Sequence, residues 1–198
     1  MDGLHELYAK IDRQGRRALA THQEDVDPYL TAATDDRWGL ALILRLPAHV
    51  SRNITFVLQT LRAAEPDLYC YSTADMHITV MDIIGARPGL HLAGLVLSPG
   101  AVMIKGYYSA ALQMLREKLR TNLAQAGLPV HERYQTRSGH VTVARFAHPL
   151  HDPAVLVRLA NADRTLAFGD FTSHRVDLVI HNWYNHRVRP VATFTLTE

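Results

Sequence analysis

Two four-residue stretches, His77-Ile78-Thr79-Val80 and His140-Val141-Thr142-Val143, repeat one alternating pattern of polar and aliphatic side chains. Side chains alternate across an extended strand, so the His and Thr of each copy share one face and the two aliphatic residues share the other. Such a strand buries its aliphatic face in a core and offers an imidazole and a hydroxyl on the opposite side. Two of them facing across a groove would gather two imidazoles and two hydroxyls around one small space.

Around these copies the hydrophobic period switches between helical and extended. Leu4, Leu7, Ile11 and Leu19 predict an N-terminal helix docked on the body, and polar residues 23–37, with Pro28, read as a linker or loop. The apolar run Trp38 to Leu46, closed by Pro47, predicts a buried strand. Ser51 is placed to cap a helix whose face is Ile54, Val57, Leu58 and Leu61. Leu68 to Tyr71 reads as a short strand, and Met76 to Ile84 as a longer one broken by Gly85, Pro88 and Gly89. Residues 85–100, between the motifs, read as compact. Ala101 to Tyr108 is a further strand. Leu112, Leu115, Leu119 and Leu123 then form a helical stripe opposite Arg116, Lys118 and Arg120, stopped by Gly127 and Pro129. His140 to Phe146 returns to a strand, and Asp152-Pro153 opens a helix carrying Val155, Leu156 and Leu159. Val176 to Ile180 and Val191 to Leu196 close the chain as strands. Adjacent strand pairs and long turn-rich connections argue against a regular parallel series. The expected class is α+β with mostly antiparallel sheet.

Composition narrows the function. The 198 residues are 47% hydrophobic and 20% charged, enough for a real core and far from a disordered composition. A single cysteine, Cys70, excludes a disulfide framework. No apolar run approaches the roughly 20 residues needed to cross a bilayer. The start, with Asp2, His5, Glu6, Lys10 and Asp12, lacks an apolar signal core, so the expected location is cytoplasmic, with no membrane partner. A net charge of +2 suits a phosphate-bearing ligand but is too small for binding duplex DNA. Twelve histidines raise the question of metal. The groups His148-His151-Asp152 and His174-His181-His186 have no acidic cluster beside them, and Asp152 sits where a helix cap belongs. No metal or cofactor is expected. Gly-rich phosphate loops, nucleophile elbows and dinucleotide fingerprints are absent from the sequence.

The paired motifs suit cleavage of a phosphodiester. One neutral imidazole can take a proton from the attacking oxygen while a protonated one delivers a proton to the leaving oxygen. Both tasks fit a side chain that titrates near neutrality. The Thr79 and Thr142 hydroxyls can donate to non-bridging phosphate oxygens, where negative charge concentrates. Met81 and Ala144 follow the threonines at groove-facing positions and are expected to form its floor. Arg145 is a candidate phosphate ligand, although simple parity turns it toward the core unless the strand bulges. Its counterpart, Asp82, makes a structural ion pair at the strand ends the alternative. Among Tyr71, Tyr107, Tyr134 and Tyr184, the residues Tyr71 and Tyr184 border turn-rich strand ends and are the expected substrate contacts.

The two motifs, in this order of strands and helices, resemble the two-histidine phosphoesterase superfamily, which includes bacterial RNA 2′,3′-cyclic phosphodiesterases (the so-called 2′-5′ RNA ligases). The resemblance covers roughly residues 38–197 and includes Arg133-Tyr134 and the run from Gly139 to Phe146. It implies a bilobed α+β fold with pseudo-twofold symmetry, each lobe supplying one motif to a central groove, with no metal required. Residues 38–198 would then form a single phosphoesterase domain and residues 1–37 an N-terminal helix-and-loop extension. His77 and His140 would be catalytic, with Thr79 and Thr142 beside them. Substrate class does not carry over with the resemblance. The expected substrate is a 2′,3′-cyclic or 2′-linked phosphodiester of a nucleotide or RNA end, and the expected state is a monomer. For a cyclic phosphate the resemblance implies release of O3′. A nucleotide-binding sensor without turnover and an exonuclease trimming RNA 3′ ends are the alternatives.

Overall fold

The structure is a computed structural model that describes residues 2–32, 35, 37–80, 89–128 and 135–196. Met81, Asp82, Gly85, Pro88, Pro129, Arg133 and Tyr134 lie outside the described residues. In chain order the elements are α1 (Asp2–Ala20), β1 (Trp38–Arg45), α2 (Ala48–Ala64), β2 (Leu68–Cys70) and β3 (His77–Thr79). They continue with β4 (Gly89–Ser98), β5 (Ala101–Tyr108), α3 (Ala110–Gln125), β6 (Val141–Phe146) and α4 (Pro153–Ala162). The last three are β7 (Ala167–Thr172), β8 (Arg175–Asn182) and β9 (Val188–Thr195).

The strands form two antiparallel sheets. One has the order β3-β1-β8-β9 and the other β2-β6-β5-β4-β7. The bilobed α+β architecture expected from the sequence is thus present, with one motif strand in each sheet. The aliphatic faces behave as the alternation requires: Ile78, Val80, Val141 and Val143 are all fully buried in one core with Leu42, Leu44, Ile54 and Phe146.

Helices cover the five-stranded sheet. α1 packs on β4 and α4, while α2 packs on β2, β6, β7 and α4. Tyr8 of α1 joins Val96, Ala101 and Met103 in a second, smaller core. The approach of α1 to β4 is close enough that a Cβ at Gly15 would lie 2.3 Å from the Leu97 carbonyl oxygen, so glycine is required there.

Several local expectations change. β4 occupies a stretch that reads as a break after the first motif, and β7 lies where the sequence predicts no element. Gly89, Gly94 and Gly100 punctuate the β4 stretch, yet Gly94 only supplies a left-handed residue (φ +78°) at a register shift in a continuing ladder. Ser51 does not cap α2: the helix starts at Ala48, and the Ser51 hydroxyl donates back to the Pro47 and Ala48 carbonyls inside the first turn. Trp38 and Leu40 are exposed, so only the second half of β1 is core. Arg116, expected opposite the leucine stripe of α3, is instead fully buried with it. Asp152 does cap α4, accepting from the Ala154 and Val155 amides.

Candidate active site

β3 is the edge of one sheet, and β6 lies second from the edge of the other. His77 and Thr79 are half-buried and exposed on the groove side of β3, with Ile78 and Val80 behind them. His140 directly precedes β6, where Thr142 is half-buried on the same side as the imidazole. Among the described residues neither threonine hydroxyl is engaged by a protein partner, so both can donate to a bound ligand.

Each imidazole is held the same way, by the residue two positions upstream. His77 Nδ1 lies 2.8 Å from the Asp75 carbonyl oxygen, and His140 Nδ1 lies 2.6 Å from the Ser138 hydroxyl. A hydrogen bond at Nδ1 fixes the ring and leaves Nε2 to do chemistry. Burial pushes both rings down to about 4. Nearby positive charge adds to this, from His181 and Arg45 at His77, and from His77, Arg145 and Arg116 at His140. A protonated His77 thus disfavours protonation of His140.

The cross-strand register adds two residues that the motifs did not reveal. Arg45 stands directly opposite His77 on β1, so its side chain shares the groove face. It pairs with Asp177 at 3.2 Å and donates to the Ala74 carbonyl. His181 stands opposite Gly39, six residues along β1 from Arg45. On a flat ladder those positions would be about 20 Å apart. The His77 and His181 rings are 6.0 Å apart, edge to face, so the four-stranded sheet curls around the groove. The signal for Arg45 was its place as the only charge in the apolar run, and His181 was one of a group weighed only as metal ligands.

Arg145 reaches the groove because β6 bulges. Thr142 faces Met103 and Ala144 faces Val102 on β5, which leaves Val143 as an extra residue. Parity is reset, so Arg145 is half-buried on the His140 side and Ala144 is fully buried in the core. The expectation that Ala144 forms the groove floor is therefore corrected.

The tyrosines are placed differently from a stacking platform. Tyr71 is 5% exposed and its hydroxyl accepts from Arg145 Nε at 3.0 Å. Tyr184 is 3% exposed and its hydroxyl accepts from Arg37, which also pairs with Asp35 and Asp27. Both rings belong to a packed cluster with Tyr69 and His186. They orient charged groups from behind and present no open face to a base. Tyr107 packs against Tyr8 and His5 on another side of the sheet. The histidines weighed as metal ligands scatter: His151 pairs with Asp67, His186 with Tyr69 and Asp75, and His174 is exposed.

No protein-family model matches this sequence, and no curated protein matches it. Solved structures do match in three dimensions. A phosphoesterase crystal structure aligns with a TM-score of 0.56 at 16% identity, over 83% of this chain and 100% of the other. LigT of E. coli in complex with 3′-AMP aligns at 0.53 and 17%, over 80% and 98%. TT0787 of Thermus thermophilus aligns at 0.52 and 14%, over 79% and 96%. The chain shares the fold of these phosphoesterase and LigT structures. No helix among the described residues is long and apolar enough to cross a membrane.

Proposed function

We propose that the chain is a phosphodiesterase that hydrolyses a 2′,3′-cyclic or 2′-linked phosphodiester of a nucleotide or RNA end, using His77 and His140 as an acid–base pair without a metal. The observation that carries this reading is the matched anchoring of the two rings, each tied at Nδ1 to the residue two positions upstream, one on each side of the groove. A nucleotide as ligand is supported by the fold neighbour LigT of E. coli, whose crystal structures contain 3′-AMP and ATP.

In the reaction one neutral imidazole accepts a proton from water as its oxygen attacks phosphorus. The other, protonated, gives its proton to the ribose oxygen as the P–O bond breaks. For a cyclic ester the leaving oxygen is O3′ and the product is a 2′-phosphate, as the resemblance implies. Thr79 and Thr142 donate to the non-bridging oxygens, and Arg145 adds a fixed positive charge beside His140. Both rings are neutral near pH 7 in the free protein, because burial holds them near 4. The bound phosphodiester anion favours the imidazolium, so substrate binding itself recruits the acid's proton.

The test is a product screen over 2′,3′-cyclic nucleotides, 2′-5′ and 3′-5′ dinucleotides and RNA with a cyclic end, with and without chelator. Conversion of cyclic or 2′-linked substrates at equal rates in both conditions is expected. Nucleotide binding without product, stepwise shortening of RNA, or loss of turnover in chelator restored by a divalent ion would each contradict it.

A further inference from the structure

Arg116 sits on the leucine side of α3 with no exposed surface. Its Nη2 donates to the Thr79 carbonyl at 2.9 Å and to the Ser138 carbonyl at 2.8 Å, and its Nε donates to the Val80 carbonyl at 3.1 Å. The first and third of these carbonyls belong to the His77 motif, in the four-stranded sheet. Ser138 is the residue whose hydroxyl holds His140 Nδ1. The guanidinium also lies over the Tyr108 ring, 5.1 Å from its centroid, which fixes the plane of the fork. Thr79 thus turns its hydroxyl side to the groove while its carbonyl is gripped from behind.

We propose that Arg116 is a positioning residue that sets the separation of the His77 and His140 rings by joining the backbone of the first motif to Ser138, ahead of the second. The inference rests on reading those two histidines as the catalytic pair. A planar guanidinium holds several acceptors in one fixed geometry, which an ammonium point charge does not. Three carbonyls from both halves of the site therefore keep one spacing. Arg116 lies behind the motif strands and touches no substrate. Its effect belongs in the rate of the chemical step and not in binding.

The experiment compares Arg116→Met and Arg116→Lys with Leu119→Ala, a core deletion on the same helix that leaves the fork alone. For each folded variant, kcat and KM on a 2′,3′-cyclic nucleotide are measured well below its unfolding midpoint. The ring NMR signals of His77 and His140 are recorded alongside. Arg116→Met is expected to lose about 100-fold in kcat, the scale of a misplacement near 1 Å, with KM within about threefold. Arg116→Lys should fall between it and the parent, and Leu119→Ala should keep kcat within about threefold despite a lower midpoint. The ring signals should move in both arginine variants and stay in Leu119→Ala. Near-parental kcat in Arg116→Met, or in Arg116→Lys where the first does not fold, overturns the proposal, as does an equal loss in Leu119→Ala. If the parent protein cleaves no phosphodiester, the catalytic reading fails instead. The ring signals then decide alone, and unmoved signals in Arg116→Lys overturn the positioning role.

Discussion

Thr142 and Arg145 point to the same side of β6 although they are three residues apart, because Val143 is an extra residue in the ladder with β5. A regular strand would send Arg145 into the core. The bulge instead places its guanidinium beside His140 and against the Tyr71 hydroxyl. Replacing Arg145 by Met should therefore lower kcat/KM by about 10- to 100-fold, since a charge-assisted donor to phosphate is lost. Tyr71→Phe should lose less, because it only frees the arginine to move. Steady-state kinetics on a cyclic nucleotide check both, and a parental kcat/KM in Arg145→Met would show that the bulge serves packing alone.

The threonine hydroxyls have no partner to lose among the described residues, and valine suits a strand. Thr79→Val and Thr142→Val should keep the unfolding midpoint and slow turnover by about ten- to a thousand-fold. Circular dichroism melts together with kcat measure the two effects separately. Unchanged rates in both variants would remove the hydroxyls from the mechanism.

Tyr8 braces the second motif from α1. Its hydroxyl donates to the Gly106 carbonyl at 2.8 Å and accepts from the Gly106 and Gly139 amides at 3.0 and 3.2 Å. A Cβ at Gly106 would lie 1.9 Å from the Gly139 carbonyl oxygen, so no side chain fits between them. Tyr8→Phe leaves these buried backbone groups without a partner and should cost about 1–3 kcal/mol in denaturant unfolding. A loss below about 0.5 kcal/mol would mean that water or the backbone replaces the hydroxyl.

Stability should depend on pH through the two motif histidines. Their folded-state values near 4 lie below the ordinary 6.5 of the unfolded chain, so between those limits the unfolded state binds more protons. Stability is then full above about pH 7 and falls as pH drops toward 4, by on the order of 3 kcal/mol per ring at most. His77→Gln and His140→Gln should each flatten the slope between pH 6.5 and 4 in urea titrations. Slopes equal to the parent's would show that the rings are not held neutral.

Much of this was legible in the sequence because period carries the information. The His-x-Thr alternation gave the two groove strands, and the leucine stripe at 112, 115, 119 and 123 gave α3. What was not legible depends on partners distant in sequence. Arg116 reads as a surface residue until the carbonyls of Thr79, Val80 and Ser138 are brought to it. His181 becomes a neighbour of His77 only because the sheet curls. The bulge at Val143 has no glycine to announce it. Conversely, Gly89 announced a break where β4 in fact begins and pairs with β5 and β7. Glycine permits a turn without requiring one.

The central claim is that His77 and His140 act as one unit, and a two-residue mutational cycle on a 2′,3′-cyclic nucleotide tests it most directly. His77→Ala and His140→Ala should each lose roughly 10²–10⁴-fold in kcat while still binding a nucleotide product. The double variant should be little worse than the worse single one, because groups acting in the same step are strongly non-additive. Fully additive losses, or either single variant keeping most of its activity, would contradict the paired mechanism.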